Sequence, residues 1–394
     1  MKILTTNSAG SDVFGGIHTR KTEQIRHSPQ HTFHVVELNR EKKYISHENL
    51  NIHKIDTTSL TSGKTIFELL KDAKNRREFD VSIERIVNEF QNTIRVVKPD
   101  AILIPGTSLT SYFLFKASRR EGVLDRTVQE YAGILEKEIE NYTGDTRFIL
   151  SQLGKVFVSD EARDKVTYVF PSQICKDEVE NIYRVTLDNG YVIWNGVSEE
   201  FARGGFDRNP PKDLTLGYVG RIQHVKNLPF FLSLNENMSR KAILKIITDL
   251  SAAAKKNIGT ALLKKMTSGE VFYYAPRSRD RLKQFYETQL SVAVVPSFFE
   301  TYCNGAMESL VCGTPTLLSN RAGASEVYRK YGLEKLLFDI DNITSFEASL
   351  NYAESNNFTI NENLSRQIYE DLKWEKAIAR YNEVFEEVSS KKSN

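Results

Sequence analysis

Short runs of apolar residues alternate with longer stretches of mixed polarity along the whole chain. In the first half the apolar runs predict strands at Lys2–Thr6, Thr32–Leu38, Ala101–Ile104, Lys155–Ser159, Val166–Phe170 and Tyr191–Trp194. In the second half they predict strands at Leu214–Val219, Ala242–Ile247, Glu270–Tyr274, Ser291–Val295 and Thr316–Leu318. The runs are continuous, which is typical of strands buried on both faces of a parallel sheet.

The stretches between these runs, such as Ile66–Lys98, have the apolar spacing of helices. Strands and helices in alternation predict an α/β fold of two doubly wound, Rossmann-like domains. The boundary falls best at Trp194–Val197, where a strand end is followed by a turn-forming Asn-Gly pair. We therefore predict an N-terminal domain over 1–195, a C-terminal domain over 196–370 and a closing helical segment with a polar tail over 371–394. In such folds ligands bind beyond the carboxyl ends of the strands, so the expected site is the cleft between the domains.

Composition and charge exclude several other classes of protein. The 394 residues carry 53 basic and 51 acidic side chains, a balance that argues against a dedicated nucleic-acid binder. Three scattered cysteines without ligand spacing favour neither a disulfide framework nor a metal site. The start, MKILTTNSAG, turns polar after four residues, and no apolar stretch reaches the length of a membrane span. A cytoplasmic protein is the expectation.

The most informative segment is SVAVVPSFFETYCNGAMESLVCGTPTLLS, residues 291 to 319. A buried strand leads through a Pro-Ser turn to a loop with Glu300, and a helix is predicted from about Asn304 to Cys312. The free backbone N–H groups at the start of this helix form an anion site suited to a diphosphate.

Four further residues of this segment are candidate ligand contacts. Cys303 and Gly305 flank the predicted helix start, while Glu300 precedes it and Glu308 lies one turn inside it. The two carboxylates are placed to accept hydrogen bonds from sugar hydroxyls. Considered alone, such a pair is more often two solvated surface carboxylates.

Two other loops follow predicted strands. In LTLGYVGRIQHVKNLPFF, residues 214 to 231, Arg221 and Lys226 follow the strand end and suit a diphosphate, although a lone basic pair is more often solvated. In NSAGSDVFGGIHTRK, residues 7 to 21, Gly15 and Gly16 allow close approach of a ligand to a helix start. A plain tight turn explains the two glycines as well.

Together these segments resemble the retaining glycosyltransferases of family 4, which have the GT-B fold. The resemblance rests on Glu300-x7-Glu308 with the following SLVCGTP and RAGASEV, and on YVGRIQHVKN. The Gly-Gly after the first strand, WNGVSEEF at the domain junction and the tryptophan of DLKWEKAIARYNEVF also match. The resemblance spans nearly the whole chain and is strongest from residue 191 to 330.

The resemblance implies a nucleotide-diphosphate hexose, with UDP or GDP, as donor substrate, and no metal or other cofactor. Arg221 and Lys226 would neutralise the diphosphate in place of a metal ion and act with Glu300, which would meet the donor sugar. Glu308 would hold the ribose hydroxyls. The departing phosphate oxygen would take the acceptor proton on the same face, which gives retention.

The resemblance also assigns backbone contacts and a packing role. The amides of Cys303 and Asn304 would meet the phosphates or sugar, and Gly16 would close over the diphosphate. The closing helices would cross back onto the N-terminal domain with Trp374 as a packing anchor.

One position departs from the family pattern. Gln129 in TVQEY stands where a histidine is expected, and glutamine can donate a hydrogen bond but cannot carry charge. Rearranged sugar contacts, a shifted alignment and reduced activity each explain this departure. His18, beside the two glycines, is the alternative sugar contact, although a histidine at such a position is more often a helix-surface residue.

The acceptor, which would be a glycan, a lipid-linked sugar or a small molecule, stays open at this point. The segment Ser111–Arg120 mixes apolar and basic residues, which suits either docking at the inner face of a membrane or a buried helix with a basic end. A non-catalytic sugar-nucleotide-binding partner subunit, derived from such an enzyme, is the alternative to a hexosyltransferase.

Overall fold

The computed structural model describes residues 1–6, 16–38, 47–61, 68, 76–138, 144–203, 208–248, 259–275 and 278–391. The chain divides into two α/β units. The first unit consists of Met1–Pro171, Lys176–Ile193 and Ala377–Asn394, and the second of Ser172–Cys175 and Trp194–Lys376.

The first unit contains a seven-stranded parallel sheet in the order β3-β2-β1-β4-β5-β6-β7. Its strands are β1 (Lys2–Thr6), β2 (Thr32–Leu38), β3 (Leu50–Ile55), β4 (Ala101–Pro105), β5 (Thr127–Glu130), β6 (Thr167–Phe170) and β7 (Gly190–Val192). The helices up to β7 are α1 (Gly16–Arg26), α2 (Arg76–Val97), α3 (Leu109–Arg120), α4 (Leu135–Glu138), α5 (Gly144–Val156), α6 (Asp160–Lys165) and α7 (Gln173–Tyr183). Every residue of β4 is buried, as its continuous apolar sequence predicts.

The second unit contains a six-stranded parallel sheet in the order β10-β9-β8-β11-β12-β13. Its strands are β8 (Thr215–Val219), β9 (Ile243–Ile247), β10 (Val271–Tyr274), β11 (Val292–Val295), β12 (Thr316–Ser319) and β13 (Leu337–Phe338). Its helices are α8 (Leu228–Leu232), α9 (Leu234–Asn237), α10 (Gly259–Thr267), α11 (Arg279–Gln289), α12 (Asn304–Val311), α13 (Ser325–Lys330), α14 (Ile343–Ser355) and α15 (Glu362–Leu372). The last helix, α16 (Trp374–Ser390), belongs to the first unit from Ala377 onward.

The prediction of two Rossmann-like α/β domains is confirmed, and one predicted strand is wrong. Lys155–Ser159 forms the end of α5 and the turn after it. Its apolar residues are core contacts of a helix end: Phe157 is fully buried and packs edge-on against Phe115, with ring centroids 5.1 Å apart. A short apolar run does not distinguish a buried strand from a buried helix end.

The strand order of the second sheet reverses at β8, which lies between β9 and β11. Leu216 and Gly217 of β8 pair with Val292 and Ala293 of β11. Doubly wound folds bind their ligands at such a reversal, beside the loops that leave the carboxyl ends of the two neighbouring strands. In this protein both loops belong to the second unit.

Helix α3 settles the two interpretations of Ser111–Arg120 in favour of a buried helix. Phe113, Leu114 and Phe115 are fully buried. Lys116 and Arg120 both form ion pairs with Glu84, so the basic end of the helix has protein partners. Among the helices in the described ranges, none has the length and apolar content to cross a bilayer.

The closing helix α16 joins a buried polar cluster of the first unit. Tyr381 donates a 2.6 Å hydrogen bond to Glu130 Oε1, and Arg20 Nη1 lies 2.9 Å from the same oxygen. Both Arg20 and Glu130 have side chains only 2% exposed. A buried ion pair of this kind depends on such additional hydrogen bonds to offset the loss of hydration.

Candidate functional site

The loop after β8 presents Arg221 to solvent. Tyr218 donates its hydroxyl to the Arg221 carbonyl at 2.9 Å, and the Gly220 amide donates to Ile247 at 3.1 Å, so the backbone here is fixed at both residues. The Arg221 side chain is exposed and forms no ion pair with any residue that the structure describes. It is therefore an available cation at the carboxyl end of the central strand.

Lys226 and Glu300 form an ion pair that joins the loops after β8 and β11. The Lys226 ammonium contacts both carboxylate oxygens of Glu300, and Ser297 donates a 2.8 Å hydrogen bond to Oε1. Glu300 is 10% and Lys226 is 22% exposed at the side chain. Two predicted site residues that lie 74 positions apart are thus in direct contact.

The segment after Glu300 is fixed by strand-like pairing with residues 322–324. Gly323 donates to the Glu300 carbonyl at 2.9 Å, and Ala324 donates to Tyr302 at 2.8 Å. A Cβ atom added at Gly323 would lie 2.3 Å from the Thr301 carbonyl oxygen, so only glycine fits this close approach.

Helix α12 begins at Asn304, as predicted, and directly after a residue with unusual backbone geometry. Cys303 has φ 105° and ψ 80°, in the left-handed region that favours glycine. Asn195 donates a 2.8 Å hydrogen bond to the Asn304 side chain, and Gly305 completes the start of the helix. The first-turn N–H groups of an eight-residue helix provide partial positive charge for an anion.

Burial raises the pKa of the Cys303 thiol to about 12, and the charge of Glu300 adds to this effect. The thiol is neutral at physiological pH, since the thiolate forms only near that pKa. Cys303 therefore contributes its shape and backbone amide to the site, not a nucleophile.

Glu308 lies one helical turn after Asn304, on the same face of α12. Burial raises the pKa of its carboxyl to about 7; the neighbouring Arg279 opposes this shift and Glu200 adds to it. Arg279 and Glu200 are themselves an ion pair, at 3.2 Å. No residue in the described ranges forms a hydrogen bond with the Glu308 carboxyl, which leaves its oxygens to a ligand.

The predicted site residues of the first unit are described only in part. Gly16 begins α1, while the side chain of His18 and the loop 7–15 lie outside the described residues. Gln129, at the end of β5, is fully buried, and its Nε2 donates to the carbonyls of Gly106 and Glu130 at 2.8 and 3.1 Å. Its Oε1 has no hydrogen-bond partner, so only this oxygen remains to meet a hydroxyl group.

Sequence reasoning missed Glu326, which is the centre of a hydrogen-bonded clamp in the second unit. Its Oε1 accepts from the Ile174 amide at 2.8 Å, and its Oε2 accepts from Trp194 Nε1 at 3.0 Å. Ser172 donates to the Thr301 carbonyl at 2.7 Å. The clamp holds two separate chain segments against the Glu300 loop. The motif RAGASEV contains Glu326, but no local sequence pattern indicates which distant residues donate hydrogen bonds to it.

Within the described ranges, no three histidine, cysteine, aspartate or glutamate side chains form a group that could hold a metal ion. The positive charge of the second-unit site comes from Arg221, Lys226 and the start of α12.

Comparison with known proteins supports this architecture. The fold is that of the GT-B glycosyltransferases. The sucrose-phosphate synthase from Thermosynechococcus elongatus superposes with a TM-score of 0.72 at 13% identity and covers 99% of both chains. The lipopolysaccharide outer core galactosyltransferase WaaB in its apo form has a TM-score of 0.66 at 15% identity, with 98% of this chain and all of the other covered. Anabaena Alr3699/HepE in complex with UDP-glucose has a TM-score of 0.67 at 12% identity and the same coverage.

Comparison of the sequence with known families and proteins gives two matches. Residues 205–371, which lie within the second unit, match the family described as "Glycosyl transferases group 1". An uncharacterized glycosyltransferase of Methanocaldococcus jannaschii, MJ1607, is 22% identical over 169 residues. This alignment covers 40% of the present chain and 43% of that protein, so less than half of either is matched.

Proposed function

We propose that the protein is a retaining, metal-independent glycosyltransferase of family 4 that transfers a hexose from a UDP- or GDP-sugar to a hydroxyl acceptor. The observation that supports this most directly is the Lys226–Glu300 ion pair beside Arg221, at the strand-order reversal of the second sheet. It lies in the domain that matches the group 1 glycosyl transferases.

The donor diphosphate binds between the start of α12 and the two basic residues. Helix N–H groups are preformed donors to phosphate oxygens, and they require no rearrangement of the protein. Arg221 is exposed and unpaired among the described residues, so its guanidinium is free to form a two-pronged contact with phosphate. Lys226, held by Glu300, supplies a second positive charge at a fixed position.

The chemistry consists of one exchange of bonds at the anomeric carbon. The bond from that carbon to the β-phosphate oxygen breaks, and its electron pair leaves with the phosphate. The acceptor oxygen bonds to the same face of the carbon, and its proton passes to the departing phosphate oxygen. Lys226 and Arg221 stabilise the negative charge that grows on the phosphate, which is where electrostatic catalysis lowers a barrier.

Glu300 and Glu308 have different roles because their environments differ. Glu300 is paired with Lys226 and hydrogen-bonded to Ser297, so it positions the ammonium and meets the donor sugar. The Glu308 carboxyl has no hydrogen-bond partner in the described part of the chain and lies one turn inside α12, where it accepts hydrogen bonds from the ribose hydroxyls.

The test is a panel of UDP- and GDP-hexoses, screened first by thermal shift and then for release of nucleoside diphosphate without and with hydroxyl acceptors. We expect one nucleotide sugar to raise the melting temperature, slow hydrolysis alone and faster release with an acceptor. Proton NMR of the product then gives the anomeric configuration. An inverted product excludes retention, and tight binding without any release indicates a non-catalytic binder.

A further inference from the structure

Two aromatic rings are stacked on the surface of the second unit beside the Lys226–Glu300 ion pair. The ring centroids of His224 and Phe298 are 5.4 Å apart, and the ring planes differ by 25°. His224 precedes Lys226 by two residues, and Phe298 precedes Glu300 by two residues. The stacked rings therefore connect the same two loops as the ion pair does.

The backbone also holds Phe298 in place. Its amide donates a 2.9 Å hydrogen bond to the carbonyl of Val225, within the turn that leads to Lys226. Phe298 nevertheless remains 36% exposed, because His224 covers only one side of its ring. A ligand that covers the apolar surface of a fixed aromatic ring removes that surface from water, and this burial contributes favourably to the free energy of binding.

We infer that Phe298, supported by His224, is a stacking platform for a hexopyranose ring. This inference rests on the proposed function, which places the sugar end of the nucleotide sugar at Lys226 and Glu300. A pyranose combines a face of C–H groups, which packs on an aromatic ring, with hydroxyl groups at its edge. Phe298 supplies the apolar surface, and Glu300 supplies an acceptor for an edge hydroxyl.

The ring that stacks on Phe298 belongs either to the donor hexose or to a hexose of the acceptor. Both rings present a face of C–H groups and hydroxyl groups at the edge, so the inference of a hexopyranose holds for either one. An experiment distinguishes the donor from the acceptor. A nucleobase is a different class of ligand, and its stacking on Phe298 would contradict the inference.

The experiment compares the wild type with Phe298→Ala, Phe298→Trp and the control Phe272→Ala. Phe272 is a more exposed phenylalanine of the same unit, at 50%, on β10. The probes are UDP alone and UDP-glucose, replaced by GDP and the GDP-hexose if the panel selects a GDP-sugar, and, for turnover, the hydroxyl acceptor that speeds release in that panel. Saturation-transfer NMR with UDP-glucose reports contacts of the glucose and uridine protons separately.

We expect Phe298→Ala to leave the affinity for UDP within about twofold and to raise KM for either UDP-glucose or the acceptor about tenfold. Phe298→Trp should return that KM to within about threefold of the wild type, and Phe272→Ala should change nothing. A change for UDP-glucose, with selective loss of the glucose signals, identifies the donor hexose; a change in acceptor KM alone identifies the acceptor.

Three results would contradict the role of Phe298 as a stacking platform. They are an equal loss of affinity for UDP and UDP-glucose, unchanged KM values in Phe298→Ala, or no rescue by tryptophan. Failure of the proposed function looks different, because the wild type itself would then neither bind nor turn over any nucleotide sugar of the panel.

Discussion

At the scale of single residues, the two basic side chains of the site differ in what their removal costs. Arg221 is exposed and without an ion pair among the described residues, so its loss disturbs only the ligand. Lys226 neutralises Glu300, whose side chain is 10% exposed, so its loss also leaves a largely buried carboxylate without its cation. Variants of the two residues therefore distinguish a loss of turnover alone from a loss of turnover together with stability.

We expect Arg221→Ala and Lys226→Ala each to reduce turnover by about 10²–10³-fold, because each removes charge stabilisation from the leaving diphosphate. Arg221→Ala should keep the melting temperature of the wild type, whereas Lys226→Ala should lower stability by about 1–3 kcal/mol. Steady-state kinetics and calorimetry measure both effects, with Lys265→Ala, which removes a lysine paired with two exposed carboxylates, as control. Near-normal turnover in both variants would contradict the mechanism.

Glu308 makes nucleotide affinity depend on pH. Burial raises its pKa to about 7, and in the proposed function its ionised form accepts hydrogen bonds from the ribose hydroxyls. Affinity for the nucleoside diphosphate should therefore increase about tenfold between pH 6 and pH 8, because the ionised fraction of the carboxyl rises by about that factor. In Glu308→Gln this increase should be absent, which separates it from titration of the phosphate. Isothermal titration at the two pH values makes the comparison; the same increase in both proteins would remove Glu308 from the ribose site.

The same raised pKa has the opposite effect on stability. The folded state favours neutral Glu308, so this stabilisation is present below the unfolded value of 4.5 and is lost as the pH rises through about 7. Glu308→Gln should accordingly gain about 2–3 kcal/mol of stability relative to the wild type between pH 5 and pH 8. Thermal unfolding at both pH values measures this difference.

At the scale of elements, the start of α12 contains local strain. Cys303 has φ 105° without being a glycine, a conformation that costs about 1–3 kcal/mol for a residue with a Cβ atom. Cys303→Gly should raise the melting temperature by about 2–4 °C. Cys303→Ala retains the Cβ atom and is the matched control, for which no such gain is expected. Equal melting temperatures of the two variants would show that the backbone is not strained.

The junction of α15 and α16 depends on Trp374. This side chain is 2% exposed, and a Cβ atom added at Gly196 would lie 2.5 Å from it, so the indole packs directly on the glycine backbone. Trp374→Ala should destabilise the protein by about 3–5 kcal/mol and leave nucleotide affinity intact, because the indole is a packing contact. Melting temperature and titration calorimetry test this together. An unchanged melting temperature with lost affinity would instead place Trp374 in the ligand site.

The elements show how far the sequence alone predicts the fold. Strands with continuous apolar runs, such as β4 and β11, were predicted because burial on both faces leaves a strong pattern. The short strand β13 and the edge strand β3 (LNIHKI) were missed, since an edge strand keeps exposed polar residues among its apolar ones. The buried strand β5 (TVQE) was missed as well, because three of its four residues are polar. Lys155–Ser159 was assigned as a strand because a helix end can bury a run of the same length.

The candidate site was predictable where its residues are local in sequence. The spacing of Glu300 and Glu308 on one helix and the basic loop after β8 can be recognised directly. The contact of Lys226 with Glu300 and the partners of Glu326 depend on which strands become neighbours, and sheet order is not written in any local pattern.

At the scale of the whole molecule, the charge of the site predicts how the protein responds to chelation. Arg221, Lys226 and the start of α12 supply the positive charge that a divalent ion supplies elsewhere. Activity should therefore persist after treatment with EDTA and remain unchanged when Mg²⁺ or Mn²⁺ is added. Initial rates before and after chelation measure this; an absolute requirement restored by Mn²⁺ would mean that the diphosphate binds differently.

The clamp at Glu326 has a consequence for how the protein can be divided. The region that matches the group 1 family, residues 205–371, includes Glu326 and Thr301 but not their partners Ser172, Ile174 and Trp194. A fragment cut at those limits would expose an unsatisfied carboxylate beside the Glu300 loop. The matched region is therefore not a self-sufficient module, because residues 172–174 and Trp194, which precede it in the chain, complete it. A gene fusion or domain exchange preserves the site only when residues 172–174 and Trp194 are transferred together with residues 205–371.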